Sequence, residues 1–320
     1  MDSKRVQQKK FDEFDVYYIN EGHSFIYADF NNPDKFMDGL TDYLFNENNL
    51  LNYARRISRI QFTGEDRQYV RLYNNIGMFL NSNMETLVVG MVTDELKNVL
   101  GEEYNLIDDK GELKVQKDKI GKIGEYAFHL LLTNFFQLDC ILPKFTCTTD
   151  RNMSVFGIDT LFLDTREKII YFGESKFSKD IDNGIKLVNR SLDEYEKQIR
   201  EEYRYVLSND VAFNLSPEFN AIYGEEKQFC ISFEELIKRA KIQFIGVPIF
   251  IAHGNGTSGN LPENYIDKLM NKVKRKQFFG INTKYILISL PVIDKTQFIE
   301  KAIVKVVKKQ NEYGQRARGC

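Results

Sequence analysis

Apolar residues along this chain of 320 residues fall into short blocks whose spacing changes from region to region. In the first hundred residues, 16–19 and 25–30 read as a short β segment. Helices are predicted near 34–45, 49–60, 67–79 and 84–100; in the last, Leu87, Val88, Met91, Leu96 and Leu100 recur at near-helical spacing. The charged stretch 102–119 contains the turn signal Asp109-Lys110-Gly111 and makes the best boundary, dividing the chain into 1–110 and 111–320. Beyond it, Ile123, Ala127, Leu130, Leu131 and Phe135 form the apolar stripe of a helix over 120–136. Strands are predicted at 140–146, 157–163 and 168–176, followed by a long charged helix from about 182 to 205. Its charged face, with Asp193, Glu194, Lys197, Arg200, Glu201 and Arg204, reads as solvated surface. After a short helix at 233–240, the apolar, β-branched run 243–252 has the character of a strand buried on both faces. A basic helix at 263–276, a strand at 284–290 and a helix at 295–309 close the chain. Helix, three strands, helix, strand: that order predicts an α/β fold with a mixed central sheet flanked by helices, preceded by a mainly helical N-terminal elaboration.

Composition narrows the functional classes. Lys and Arg number 44 against 46 Asp and Glu, a net charge of -2, which excludes a uniformly basic coat. The charge is uneven, however: from Leu261 onward thirteen Lys/Arg face five Asp/Glu, a local +8, so a basic C-terminal part is expected. With 42% hydrophobic and 28% charged residues the chain is an ordinary globular sequence. Cys140, Cys147, Cys230 and Cys320 form no Cys-x-x-Cys pair, and His23, His129 and His253 are too scattered for a zinc set. Free thiols, no apolar segment of a secretory signal and no run near the ~20 residues of a membrane span lead to the expectation of a cytoplasmic protein.

The stretch that carries chemistry is Gly157-Ile158-Asp159 followed, after a turn, by Phe172-Gly173-Glu174-Ser175-Lys176. Strand side chains alternate, so Glu174 and Lys176 project from one face. If Asp164-Thr165-Arg166-Glu167 closes a two- or four-residue hairpin loop, Leu163 sits opposite Lys168 and Asp159 opposite Phe172. Asp159 is then the same-face diagonal neighbour of Glu174, with backbones ~7–8 Å apart. Two such carboxylates repel, and a divalent cation with hard oxygen ligands resolves the conflict, which points to Mg2+ or Mn2+. Lys176 beside them would position water and stabilise charge developing at phosphorus; the peptide carbonyl of Ser175 is a further ligand candidate. Other acid-x-Lys triplets, such as Glu95 to Lys97, lack this context of paired apolar strands.

These residues resemble the PD-(D/E)XK nuclease superfamily, with Ile158-Asp159 standing at the Pro-Asp position of its motif. More narrowly, Gly121-Lys122-Ile123-Gly124-Glu125 opening a helix, Leu142-Pro143-Lys144 at a strand start and Gly173-Glu174-Ser175-Lys176-Phe177 are similar to HamA, the nuclease subunit of the Hachiman anti-phage defence system. The resemblance covers about 119–190. It implies a restriction-endonuclease-like core and a nuclease acting on DNA, with a helicase, HamB, as partner. It also implies Asp159 and Glu174 as metal ligands, Lys176 as the catalytic lysine and Glu125 as an extra ligand; a first-turn glutamate favoured by the helix dipole is the alternative for Glu125. The Gln-x-x-x-Tyr element of some exonuclease-like relatives is not matched, since Gln198 is followed at that spacing by Glu202.

Other signals point to partners. Lys144 is a candidate contact to a scissile phosphate. Lys268, Lys272, Lys274, Arg275 and Lys276, taken as one helix, could track a DNA backbone, with a solvated helix face as the alternative. Gly254-Asn255-Gly256-Thr257-Ser258-Gly259 fits a dinucleotide-binding string but lacks the acid that would hold a ribose, and reads as a flexible turn. With no phosphate-binding loop, no nucleotide cofactor is expected on this chain, and any motor belongs to a partner. His129, one helical turn after Glu125, reads as a buried structural histidine. Region 1–110 is read as the site for a restraining partner. The expected activity is Mg2+-dependent phosphodiester hydrolysis of DNA in a helicase-coupled complex. A non-cutting scaffold that binds DNA or a helicase, and a restriction or RNA-processing endonuclease, are the alternatives.

Overall fold

The structure is a computed structural model and describes residues 6–10, 15–21, 23–29, 33–50, 65–67, 69–70, 73, 86–91, 112–116, 128–130, 132–133, 138–142, 160–164, 167–208, 232–254, 262–291 and 295–318. Its order is β1 (Val6–Lys10), β2 (Asp15–Glu21), β3 (His23–Asp29), α1 (Pro33–Leu44), β4 (Thr86–Met91), β5 (Glu112–Gln116), β6 (Asp139–Leu142), β7 (Thr160–Asp164) and β8 (Ile169–Ser178). There follow α2 (Ile181–Asp193), α3 (Tyr195–Ser208), α4 (Phe233–Arg239), β9 (Phe244–His253), α5 (Pro262–Lys272), β10 (Asn282–Pro291) and α6 (Lys295–Arg318).

Among the described residues, eight strands form one mixed sheet in the order β1-β2-β3-β10-β9-β8-β7-β6. Strands β3, β10, β9 and β8 are joined by parallel pairings, while antiparallel ribbons extend the sheet at either edge. The apolar run of β9 is flanked by parallel neighbours on both sides and is buried almost throughout, as its composition predicts. On one face, Ile170 and Phe172 of β8, Ile249 and Ile251 of β9 and Leu287 of β10 pack under α2, α3, α4 and α5 in a continuous core. Phe128 stacks on Phe250, which alternates to the opposite face, at 5.5 Å between ring centroids.

Several expectations need correction. Residues 86–91 form β4, paired antiparallel with β5 as a separate ribbon, and not a helix. β5 lies inside the charged stretch taken as a boundary. β2 and β3 are the expected β segment, but β1 and β4 add strands to a region expected to be mainly helical, and β3 pairs with β10, so the central sheet runs across residue 110. The charged helix near 182–205 is two helices: α2 ends where Glu194 turns its backbone back to donate to the Ser191 carbonyl, and α3 starts at Tyr195. The basic helix ends at Lys272, so Lys274, Arg275 and Lys276 lie past its terminus.

The N-terminal region is also tied to α6 by charge. Lys301 contacts Asp38, Lys305 contacts Asp42, and Lys309 reaches Glu47 at 2.6 Å. These lysines stand one turn apart on α6, one row facing α1 and the helical residues 47–50 after it. Burial raises the affinity of Glu47 for its proton, but hydrogen bonds from Lys309 and the Tyr313 hydroxyl outweigh it and hold the carboxyl below its ordinary range.

Two buried histidines make the fold acid-sensitive. Burial pushes His129 down to about 3 and, against a hydrogen bond to the Gly254 carbonyl, His253 down to about 4. The unfolded chain takes up both protons near pH 6.5 and the folded chain does not, so their stabilisation is complete above that pH. It is lost progressively as the pH falls toward 4 and 3, by about 1.4 kcal/mol per pH unit for each histidine. Thermal melting is expected to fall steeply between pH 6.5 and 4, and His253→Gln should flatten part of that slope. An unchanged slope in the variant would show that His253 titrates normally.

Candidate active site

Strand β8 carries the candidate chemistry, and its register follows from the turn before it. Asp164 Oδ1 accepts a hydrogen bond from the Glu167 amide at 3.0 Å, and Lys168 adopts a positive φ of 54°. A short acceptor side chain and a left-handed residue suit a tight connection, and the Asp164–Ile169 pair closes it. The Lys168 carbonyl accepts from the Gln243 amide at 3.1 Å, so Lys168 serves the entry to β9 and has no partner in β7. Leu163 therefore pairs with Ile170 and not with Lys168, a correction of two residues. An even shift leaves the side-chain alternation as expected, where an odd one would have inverted it.

Along β8, Glu174, Ser175 and Lys176 lie beside Ile249, Phe250 and Ile251 of β9. Glu174 and Lys176 share the face of Phe172, and the Lys176 amine contacts Glu174 Oε1, as the alternation requires. The Glu174 side chain is only 4% exposed and that of Lys176 26%, so the acid is enclosed while the lysine side chain is partly exposed. An enclosed carboxylate is costly without a cation beside it. Ser175 is buried, and its side chain alternates to the other face, which removes it from the chemistry.

Two packing features hold this segment. Pro248, inside β9, has no amide hydrogen to give, and pairing between β8 and β9 breaks after Tyr171–Gly246 and resumes at Glu174–Ile249. The Phe172 carbonyl, which faces that break, accepts instead from the fully buried Tyr195 hydroxyl at 2.5 Å. Helix α2 then presses directly onto the sheet past Lys176. A Cβ on Gly184 would lie 2.4 Å from Ile251 Cγ2 and 2.8 Å from Ser178 Oγ, so only glycine permits this approach. The helix is capped by Asp180, whose side chain accepts from the Asn183 amide at 2.7 Å.

Asp159, Glu125 and Lys144 lie outside the described residues. The described chain resumes at Thr160, the residue after Asp159, and Thr160 pairs with Gly173, the residue before Glu174. Among the described residues, no group of three or more His, Cys, Asp or Glu is placed to hold a metal ion. His129 is buried and stays a neutral imidazole. Gln198 and Glu202, one turn apart on α3, both turn polar atoms inward; the buried side chain of Glu202 was not anticipated from its charge.

The predicted DNA-contacting lysines are engaged with α2. Lys272 and Lys268 bind the two oxygens of Asp182 at 2.6 and 2.9 Å. Lys276 contacts Asp193, and Lys274 approaches it at 3.7 Å. Arg275 Nη2 donates to the Met270 carbonyl at 3.5 Å. Both aspartates are held below the ordinary carboxylate range by these lysines. Sequence spacing missed Lys186 and Arg190, exposed one turn apart on α2; their i, i+4 relation was the available signal.

A model of the HamA family matches residues 6–306. The chain belongs to the HamA family. It is therefore a component of the Hachiman anti-phage defence system, and works with a partner of that system. The match runs far beyond 119–190, the stretch whose motifs carry the resemblance, and takes in β1 to β3 as well as α5 and β10. No curated protein and no solved structure matches the chain. Among the described residues of this HamA-family chain, no helix is long and apolar enough to cross a membrane.

Proposed function

We propose that this HamA-family chain is a Mg2+-dependent DNA nuclease with a restriction-endonuclease-like core, acting in cytoplasmic anti-phage defence under a HamB-type helicase. The observation that carries the reading is the enclosed Glu174 carboxylate on β8 with the amine of the partly exposed Lys176 against it. The segment from β6 to β9 supports it: three antiparallel-paired strands, then a helical crossover to a strand parallel to the third. That order supports the restriction-endonuclease-like core that the resemblance implies.

A hard, enclosed carboxylate fits a hard divalent cation, and Glu174, Asp159 and the Ser175 carbonyl would hold it, with Glu125 as a further candidate. When bound, the ion would offset negative charge on the phosphate under attack. The reading requires the alternation of β7 to continue to Asp159, because position 159 shares the parity of 161 and 163, which pair with 172 and 170 on the Glu174 face. Lys176 would then stand at the open edge of the pocket, where its amine orients the attacking water and stabilises charge as it develops.

The test is degradation of plasmid DNA with Mg2+ by the purified protein and its helicase partner. Glu174→Gln, nearly isosteric, should end cutting while leaving folding and partner association intact. Cutting that persists in Glu174→Gln would place the chemistry elsewhere. Absence of cutting in the unmodified complex, with DNA still bound, would favour the scaffold.

A further inference from the structure

Between α2 and the C-terminal end of α5 lies an open groove of about 510 Å3. Its α2 wall is a single stripe of Asp182, Lys186, Asn189, Arg190 and Asp193, and its other wall carries Lys272 and Lys274. Asn189 joins the walls, donating to the Lys272 carbonyl at 2.9 Å and accepting from the Lys274 amide at 2.8 Å. The two aspartates at the stripe's ends hold four lysines. Lys186 and Arg190, between them, are exposed and form no ion pair or side-chain hydrogen bond among the described residues. Four cations and two carboxylates thus line one groove, with Lys268 and Lys276 beside it on the same two aspartates, in a chain whose overall charge is -2.

We propose that this groove is a phosphate-backbone track for nucleic acid, with Lys186 and Arg190 as the primary contacts and Asp182 and Asp193 as internal competitors for the flanking lysines. It rests on the nuclease reading and adds to it a surface separate from Glu174 and Lys176. Among the described residues, no aromatic side chain lines the groove, and Ile185 is its one apolar residue. It therefore has no platform on which bases could stack, and binds the backbone without regard to sequence. The aspartate–lysine pairs are exposed, and such pairs are weak enough for phosphate to displace. An acidic protein segment would also meet the charge, but a groove fixed by backbone-bound Asn189 and lined by cations at one-turn intervals suits a repeating polyanion better.

The test is binding of a fluorescent 20-base-pair duplex of mixed sequence to the whole protein, in EDTA, across a salt series. Lys186→Ala with Arg190→Ala should weaken binding at least tenfold and reduce the slope of log affinity against log salt by about 2. Asp182→Asn with Asp193→Asn should do the opposite, strengthening binding several-fold as four lysines are released. An unchanged slope in the lysine–arginine variant, or weaker binding in the asparagine variant, would overturn the proposal. So would displacement of the duplex by a glutamate-rich peptide at equal charge concentration. Loss of the groove's effect with Glu174-dependent cutting intact would reject the track alone, whereas binding without any cutting would reject the nuclease reading alone.

Discussion

Lys176→Met is expected to lower the rate of Mg2+-dependent DNA cutting about 10²–10³-fold, the usual cost of removing one preorganised charge-stabilising group. The same change should destabilise the fold by about 2–3 kcal/mol, because it leaves the enclosed Glu174 carboxylate without its amine. That figure sits below the usual cost for a deeply buried pair, since the Lys176 side chain is 26% exposed. Glu174→Gln should cost less stability, about 1 kcal/mol, because the lysine left behind can turn to water. The double change should recover part of the loss, giving a coupling of at least about 1 kcal/mol between the two sites. Activity behaves differently, with no recovery in the double variant. Urea melts and cleavage rates measured on all four proteins separate the roles: a pair that serves only packing would show the stability coupling while cutting survived each single change.

The second large effect is steric. A Cβ on Gly246 would lie 1.9 Å from Tyr171 Cδ1 and 2.3 Å from Cε1, inside the volume of the ring. Tyr171 is itself buried, and burial pushes its hydroxyl up, so the ring has no open space to swing into. Gly246→Ala should therefore cost about 3 kcal/mol, the upper end for an added methyl in a packed core. Tyr171→Leu would clear the space, and the double variant should be more stable than the sum of the two single changes. A loss under about 1 kcal/mol in Gly246→Ala would show that the ring does not lie over the glycine. The two residues pair across β8 and β9 three positions before Glu174, so the same variant reports on how firmly the chemistry-bearing strand is seated.

The N-terminal hundred residues cannot be treated as a detachable regulator. β3 pairs with β10, and α1 and the helical residues after it are joined to α6 through Asp38, Asp42 and Glu47. Removing residues before 111 would expose the edge of β10 and strand three lysines on α6. Partner binding in this region is better probed by surface substitutions that leave those pairings intact.

Local features of the chain were enough for β9, β10, α1 and α4, because each is a run of one periodicity bounded by polar residues. They were also enough to place Glu174 and Lys176 on one face, since strand alternation needs no knowledge of the partner strand. Elsewhere the pattern misled. Leu87, Val88 and Met91 suit a helix and a strand equally over so short a run, and the outcome turned on β5, a partner more than twenty residues away in a stretch that looks like a boundary. The break at Glu194 has neither glycine nor proline to announce it.

Chain-local chemistry thus established an α/β protein and an acid-x-lysine pair on an apolar strand. Pairing across distance decided the substitution of Tyr195 for the amide that Pro248 lacks and the meeting of α2 with the end of α5, while the two-residue correction of the β7–β8 hairpin came from its own turn. Alternation and turn chemistry act between neighbours a few residues apart, whereas a groove or a missing ladder bond exists only once segments eighty residues apart have packed.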